Sequence, residues 1–425
     1  MSYAEAIQFL YGLQMFGANF GLEPTRRLAT LAGNPQEKLR FIHVAGTNGK
    51  GSTCAMLESI YRAAGRRVGL FTSPHLVSFR ERIQVNRQLI PEAAVSRLVG
   101  ELRAANRQNE ATLFEFATVM ALKYFAEQKC DLVVWETGLG GRLDATNIVT
   151  PLASVITNIT FDHTQWLGDT LGKIAAEKAG IIKSGVPVVT ATDAPEALAV
   201  IQEVARQKHA PLTLLTADKV ESQFAGTPAP PLPGEHQKVN AALALATVEA
   251  LQKQIPITAA DVCAGMAAVN WPGRLQLIQK PNGQRILLDG AHNAAGAETL
   301  RAALEKDFGG IRPVLIFGAL ADKSWRDICR ILAPLAAKTF TVPVASERTA
   351  KAHELAEGFR SANPAAPAVA AANLAVALNE SQDEPFVVVT GSLYLIGEAL
   401  EQLGFSPANP RERGLNEWRA APVSR

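Results

Sequence analysis

Phe41 to Ser52 reads FIHVAGTNGKGS, a β-rich apolar run that stops at a glycine-rich turn carrying one lysine. Residues of these types can hold a polyphosphate. Gly46 and Gly49 let the backbone adopt dihedrals closed to other residues, and the amphipathic stretch after Ser52 supplies a helix N-terminus whose N–H groups face an anion. Lys50 adds a positive charge. The spacing is shorter than the common Gly-x4-Gly-Lys-Ser/Thr loop, and Gly51 separates Lys50 from Ser52, so a plain strand-turn-helix stands as the alternative.

Other donor atoms stand just beyond apolar runs. Glu136 closes DLVVWE ahead of a glycine-rich loop, His163 lies in FDHTQW, and Ser73 in FTSPHL. A carboxylate at such a place can reach a magnesium ion beside bound phosphates, or serve as a cap or ion-pair partner. A lone histidine is usually structural, and Ser73-Pro74 is also good turn chemistry. By spacing alone Lys178, in AAEKAGIIK, reads as a solvated helix lysine. Arg274, in WPGR, offers a planar fork suited to phosphate, and Asp289 and His292, in LLDGAHN, follow a strand-like run.

A parallel sheet would bring these positions together. FIHVA, a helix from Ser52 to Ala64 and RRVGLFTS predict a strand-helix-strand unit. Helices from Glu92 to about Ala105 and from about Leu113 to Gln128 lead to DLVVWE; ASVITN, a helix around Lys173 to Ala179 and VPVVT follow. Loops after parallel strands gather at one sheet edge, so the turns after Ala45, Phe71, Glu136 and Asn158 should converge. KPNG near residue 282 reads as a boundary, beyond which ILLDG, PVLIFG, TFTV and FVVVTG alternate with helical segments. The fold expected is α/β: a P-loop-type, mostly parallel domain over residues 1–280 and a smaller Rossmann-like domain over 281–425. FAGTPAPPLPG reads as a surface loop and RERGLNEWRAAPVSR as a loosely held tail.

Composition narrows the function class. The 425 residues, 48% hydrophobic and 19% charged, suffice for two packed cores. Lys+Arg 42 against Asp+Glu 40 is too balanced for nucleic acid or an anionic membrane as the main partner. Four scattered cysteines form no CxxC pair, which fits buried thiols in a reducing compartment. The N-terminus has acidic Glu5 and no basic region before its apolar residues, and no apolar stretch reaches about 20 residues, so a cytoplasmic protein is expected.

Taken together, HVAGTNGKGS, FTSPHL, ETGLGGRLDATN, DHTQWLG, EKAGIIK, WPGR, LDGAHN and TGSLYLIG occur in an order and spacing that resembles the folylpolyglutamate synthases, including bifunctional bacterial enzymes that are also dihydrofolate synthases. The resemblance covers about residues 10 to 400 and extends to the wider group of amide ligases that includes the muramyl ligases. It implies MgATP between two domains, with two metal ions. Thr47, Asn48, Gly49 and Lys50 match the family's phosphate loop; Ser73, Glu136 and His163 match its magnesium ligands; Asn240, Arg274 and Asp289 match residues that contact ATP. Lys178 matches a lysine that is carbamylated in the family, and Lys50, Lys178 and His163 carry the catalytic roles by this resemblance.

Three further segments match places where bifunctional relatives hold dihydropteroate: Gly17, Ala18, Asn19 and Phe20; Thr112, Leu113, Phe114 and Glu115; Leu143, Asp144 and Ala145. Phe114 offers a flat apolar face for a ring, and Asp144 and Glu115 could accept hydrogen bonds from a pterin, although a core phenylalanine and a turn aspartate are the plainer alternatives. HNA at His292 to Ala294 departs from relatives that carry proline after the asparagine, and affects only a helix start. The implied reaction joins L-glutamate to dihydropteroate or to reduced folates, in a monomer with small-molecule partners only. A folylpolyglutamate synthase without the dihydrofolate synthase activity is the first competing reading, followed by a muramyl-type ligase or a P-loop switch whose output is conformational.

Overall fold

The computed structural model describes residues 1–14, 21–106, 111–224, 228–309, 311–406 and 410–416. The first sheet comprises β1 (Phe41–Ala45), β2 (Val68–Phe71), β3 (Ile83–Val85), β4 (Gln88–Leu89), β5 (Leu132–Glu136), β6 (Ala153–Ile156), β7 (Val188–Thr190) and β8 (Leu212–Leu214). Its strand order is β4-β3-β2-β5-β1-β6-β7-β8, with every pairing parallel except β2–β3 and β3–β4, since β3 alone runs the other way. β1 therefore lies between β5 and β6, and the turns after β2, β5, β1 and β6 emerge side by side at one edge, the crevice where open α/β sheets bind ligands.

Alternation along β1 builds both faces of this sheet. Ile42 and Val44 pack with the helices Lys50–Ala63 and Glu235–Ala250, whereas Phe41 packs with Phe71 and Trp135 against the helices Glu92–Ala105 and Leu113–Glu127. Covered on both faces, the strands read as near-continuous apolar runs, which is how they were recognisable in the sequence.

The second sheet comprises β9 (Gln276–Gln279), β10 (Arg285–Asp289), β11 (Val314–Phe317), β12 (Lys338–Thr341), β13 (Ala368–Ala370) and β14 (Phe386–Thr390). Its order is β13-β12-β11-β14-β10-β9, with only β9 antiparallel. β9 lies within the span 1–280 expected for the first domain, so the second sheet starts earlier than the sequence suggested. The reason is local: KPNG is a hairpin turn, not a linker, with Gly283 N–H bonded to Lys280 C=O at 2.9 Å and Gly283 at φ +87°. The C-terminal segment also departs from expectation. Glu412, Arg413, Leu415 and Asn416 are buried instead of lying in a loose tail, because they pack back on the first domain. No helix among the described residues is long and apolar enough to cross a membrane.

The helix that begins at the phosphate loop is set in place by the helix Ala259–Ala267. Gly265 allows the approach: a Cβ there would stand 2.4 Å from Ile60 Cα, and its carbonyl accepts the Ser59 hydroxyl at 2.7 Å. Gly265→Ala should cost about 1–3 kcal/mol by overpacking against backbone that cannot give way. Thermal melts of the ligand-free protein check this; an unchanged midpoint would contradict it.

Candidate functional site between the two sheets

The turn after β1 is braced by the turn after β6. Thr47 N–H donates to Asn158 C=O at 2.9 Å, Asn48 N–H to Asn158 Oδ1 at 2.8 Å, and Thr157 Oγ1 to Asn48 C=O at 2.6 Å. The glycines are required here. Gly46 has φ +150° and a Cβ would fall 1.8 Å from Thr157 Oγ1; Gly49 has φ +83° and a Cβ would fall 2.3 Å from Asn240 Oδ1. Gly49 thus brings buried Asn240 onto the phosphate loop. Lys50 starts the helix and folds its ammonium over the Gly46 and Thr47 carbonyls, both at 3.1 Å.

Lys178 reaches the same Gly46 carbonyl at 2.8 Å and is buried, so the solvated helix lysine suggested by spacing is not what the fold makes. Burial, then the neighbouring Lys50 charge, lowers its ammonium to about 7. Glu136 is buried at the end of β5 and accepts the Ser73 N–H at 3.1 Å. Burial raises its carboxyl to about 7, against which Lys50 and the Ser73 N–H favour the anion. His163 has a left-handed backbone, φ 51°, and its Nε2 lies 3.3 Å from Lys323 Nζ. Burial and Lys323 lower the ring to about 4, leaving the neutral imidazole that can ligate a metal.

The second sheet supplies the opposite wall. Asp289, at the end of β10, accepts N–H groups from Leu275 and Ala291, both at 3.0 Å, and faces Arg274. Asp162 joins the domains: its carboxylate takes Lys323 at 2.6 Å and Asn293 at 3.1 Å, with His292 Nε2 at 3.7 Å, and Asn293 also donates to Asn48 Oδ1 on the phosphate loop at 3.1 Å. Burial alone would raise Asp162, but His292, Lys323 and His163 hold it well below the usual carboxylate range.

One cavity of about 1300 Å³ unites these groups with the Thr112–Glu115 and Leu143–Ala145 segments. Every described residue singled out from the sequence as a site residue lines it; Gly17, Ala18, Asn19 and Phe20 lie outside the described residues. Phe114 is half-buried, tilted against Phe71 at 5.9 Å between centroids and backed by Gly138. The carboxylates expected to face a pterin line this cavity and also accept hydrogen bonds from their own loops. Asp144 accepts from Leu139 N–H and from the N–H and hydroxyl of Thr146, and Glu115 closes a capping box with Thr112. Both organise the loops around the cavity. Sequence reasoning missed Arg82, Asn158, Asp162, Asn293 and Lys323. Asp162 beside His163 was the available signal, since both lie in the polar loop that follows the buried strand β6.

A phosphate loop facing a second α/β domain across a polar cavity is the arrangement of the Mur-type ATP-dependent ligases. Residues 44–248 match the Mur ligase middle domain, and residues 273–393 match the Mur ligase, glutamate ligase domain. Within that class, the chain belongs to the folylpolyglutamate synthase/dihydrofolate synthase family. It is 36% identical to the dihydrofolate synthase/folylpolyglutamate synthase of Bacillus subtilis over 95% of this chain and 99% of that protein. Escherichia coli FolC in complex with DHPP and ADP superposes with a TM-score of 0.85 at 31% identity, covering 95% of this chain and 98% of FolC. Mycobacterium tuberculosis folylpolyglutamate synthase complexed with ADP gives 0.85 at 30% identity, covering 96% and 100%.

The buried carboxyl of Glu136 has a stability consequence. It keeps its proton to about pH 7 in the folded protein but ionises near 4.5 when unfolded, so stability falls as pH rises through that window. Glu136→Gln should therefore stabilise the ligand-free, metal-free protein at pH 8 by on the order of 2–3 kcal/mol, and by less at pH 5. Melts at the two pH values check the sign; a gain that is equal at both would contradict it.

Proposed function

We propose that this ligase joins the amine of L-glutamate to a carboxylate of 7,8-dihydropteroate and of reduced folates, cleaving ATP to ADP and phosphate. The observation that carries the reading is the single cavity. It runs from the Gly46–Lys50 loop, past Arg274 and Asp289 of the second domain, to the half-buried ring of Phe114. A nucleotide triphosphate fits one end and a flat aromatic acid the other. That B. subtilis carries both activities in the name of its homologue, and that FolC is described with DHPP and ADP, supports the same reading.

A carboxylate is a poor electrophile, and the chemistry must overcome this. One acceptor oxygen attacks the γ-phosphorus, ADP leaves, and an acyl phosphate forms. The glutamate amine then adds to the acyl carbon, loses a proton, and the tetrahedral intermediate collapses with departure of phosphate. Lys50 would turn its ammonium from the loop carbonyls to the transferring phosphoryl group, and the backbone N–H groups of the loop would hold the adjacent phosphates. Arg274, close to Asp289 and Glu136 in charge, would present its fork to phosphate, and Asn240 would contact the nucleotide beside Gly49. Closure of the two domains would exclude water from the acyl phosphate.

The donor set fits magnesium: a buried carboxylate with one backbone donor, a hydroxyl and a neutral imidazole. Ser73, Glu136 and His163 would hold the ions, which supply positive charge to the phosphoryl oxygens. Lys178 is suited to carbamylation, because burial leaves a large uncharged fraction at neutral pH, and the free amine can add to CO2 with loss of one proton. The resulting anion would face Lys50. Extra mass of one CO2 on Lys178, or rescue of Lys178→Ala by small carboxylates, supports this; a free amine in the active protein contradicts it. All the groups named lie on one chain, so we take the enzyme to act as a monomer, in the cytoplasm; a light-scattering mass of a dimer during turnover would contradict the former.

The deciding assay supplies pure protein with dihydropteroate, L-glutamate and MgATP. ADP release that requires both other substrates, with dihydrofolate as product, is the expected result. Acceptor-independent hydrolysis would indicate a switch or motor, and extension of tetrahydrofolates alone would remove the dihydrofolate synthase part. Lys50→Ala should lower kcat by roughly 10²–10³-fold while melting as a folded protein. Phe114→Ala should raise KM for dihydropteroate more than KM for ATP, since ring contacts are lost and the phosphate loop is untouched; equal changes in both would contradict that placement.

A further inference from the structure

The segment Glu412–Asn416 lies beyond both matched domains, yet it is built into the site. Leu415 and Asn416 line the cavity, and so does Arg82 at the end of the short 3-10 helix Phe79–Arg82. Arg82 is buried and donates through Nε to His75 Nδ1 at 2.8 Å and through Nη2 to Asn416 Oδ1 at 2.6 Å. Because His75 Nδ1 accepts, its Nε2 carries the proton and donates to Glu412 C=O at 2.8 Å. Asn416 Nδ2 closes the circuit on His75 C=O at 2.9 Å. Two of the three guanidinium nitrogens are thus fixed by a histidine and an asparagine, and Nη1 is committed to neither.

The same segment holds the loop from both sides. The Glu412 carboxylate accepts the Ser78 hydroxyl and Phe79 N–H, both at 2.7 Å, at the start of the 3-10 helix. Arg413 reaches back to Glu401 at 3.1 Å and Glu398 at 3.7 Å on the second domain's helix Leu393–Gln402. The loop in turn inserts Val77 into the core around Leu288, Leu395 and Ile396, and a Cβ at Gly397 would fall 2.0 Å from Leu76 C=O. Ser73 and Arg82, which face the cavity from the first domain, sit on a loop clasped by the second.

We propose that Glu412–Asn416 is a positioning strap for the ligase site: Asn416 fixes the aim of Arg82 at the anionic substrates, and Glu412 fixes the loop that carries Ser73 and Arg82. This rests on the ligase reading above. The strap exists because a long buried guanidinium loses its aim without a rigid acceptor on each edge, and Asn416 is the only one of the two acceptors that comes from the far end of the chain.

The test compares wild type with Asn416→Ala and Asn416→Asp, the latter keeping an acceptor oxygen for Arg82. Asn416→Ala should lower kcat/KM for the acceptor acid by about 10-fold or more, leave KM for ATP within about threefold, and melt near the wild type. Asn416→Asp should recover most of that loss. Unchanged kinetics in Asn416→Ala, or equal losses in Ala and Asp variants together with a lowered melting point, would overturn the positioning role. Hydrogen exchange gives a readout that does not need turnover. In Glu412→Ala the amides of residues 76–82 should exchange at least about tenfold faster while β1 and β5 are unaffected, and Glu412→Gln should fall between the two. Equal protection in Glu412→Ala and wild type would overturn the strap even if wild type shows no ligation, whereas a wild type that does not ligate, with exchange as expected, would overturn only the reading of the reaction.

Discussion

The carboxylate of Asp162 is the interaction on which the site depends. It leaves the first sheet just after β6 and is met from the second domain by Lys323, Asn293 and His292, with both charged side chains of the Lys323 pair about nine-tenths buried. A charge buried so deeply is tolerable only while its partners stay in place, since removing one side of such a pair typically costs about 3–5 kcal/mol. The two domains are therefore tied across the cleft in this structure by an electrostatic requirement, and the phosphate loop is included through Asn48 and Asn293. Without that arrangement Arg274 and Asp289 would not face Lys50.

The charge balance inside the cavity follows from the same burial. Lys50, Lys178, Arg82, Arg274 and Lys323 line it, while burial raises the carboxyls of Glu136, Asp144 and Asp289. The cavity thus sets a cluster of cations beside acids whose ionisation burial opposes, and bound phosphate and metal ions would relieve both. Two ammonium groups share the Gly46 carbonyl, and their repulsion contributes to the low affinity of Lys178 for its proton. An arrangement that strains its own charges in isolation gains most from a triphosphate, divalent metal and acid together, which favours binding all substrates before reaction.

The legible parts of the sequence were those governed by local rules. Strands β1, β5 and β6 are covered on both faces and announce themselves as apolar runs; the phosphate loop announces itself by glycines that packing against Thr157 and Asn240 makes obligatory. What escaped notice depends on distance in sequence. KPNG was misread because a turn and a linker use the same residues, and only its pairing with β10 tells them apart. Glu412 and Asn416 look like surface polar residues until the fold brings them, more than 300 positions away, against His75, Ser78 and Arg82. Lys178 likewise has the spacing of a solvated side chain and is buried only because the turn after β1 passes over it. Asp144 and Glu115 carry a local duty that the sequence did not disclose: each lines the cavity and also accepts nearby backbone N–H groups.

The central claim is that the cavity activates a carboxylate by phosphoryl transfer before the amine attacks. Supplying the acceptor acid with 18O in its carboxylate tests it most directly, because the bond that breaks on amide formation then carries the label out. One labelled oxygen in the released phosphate for each amide formed is the predicted result. Phosphate without label, with amide still produced, would contradict the account.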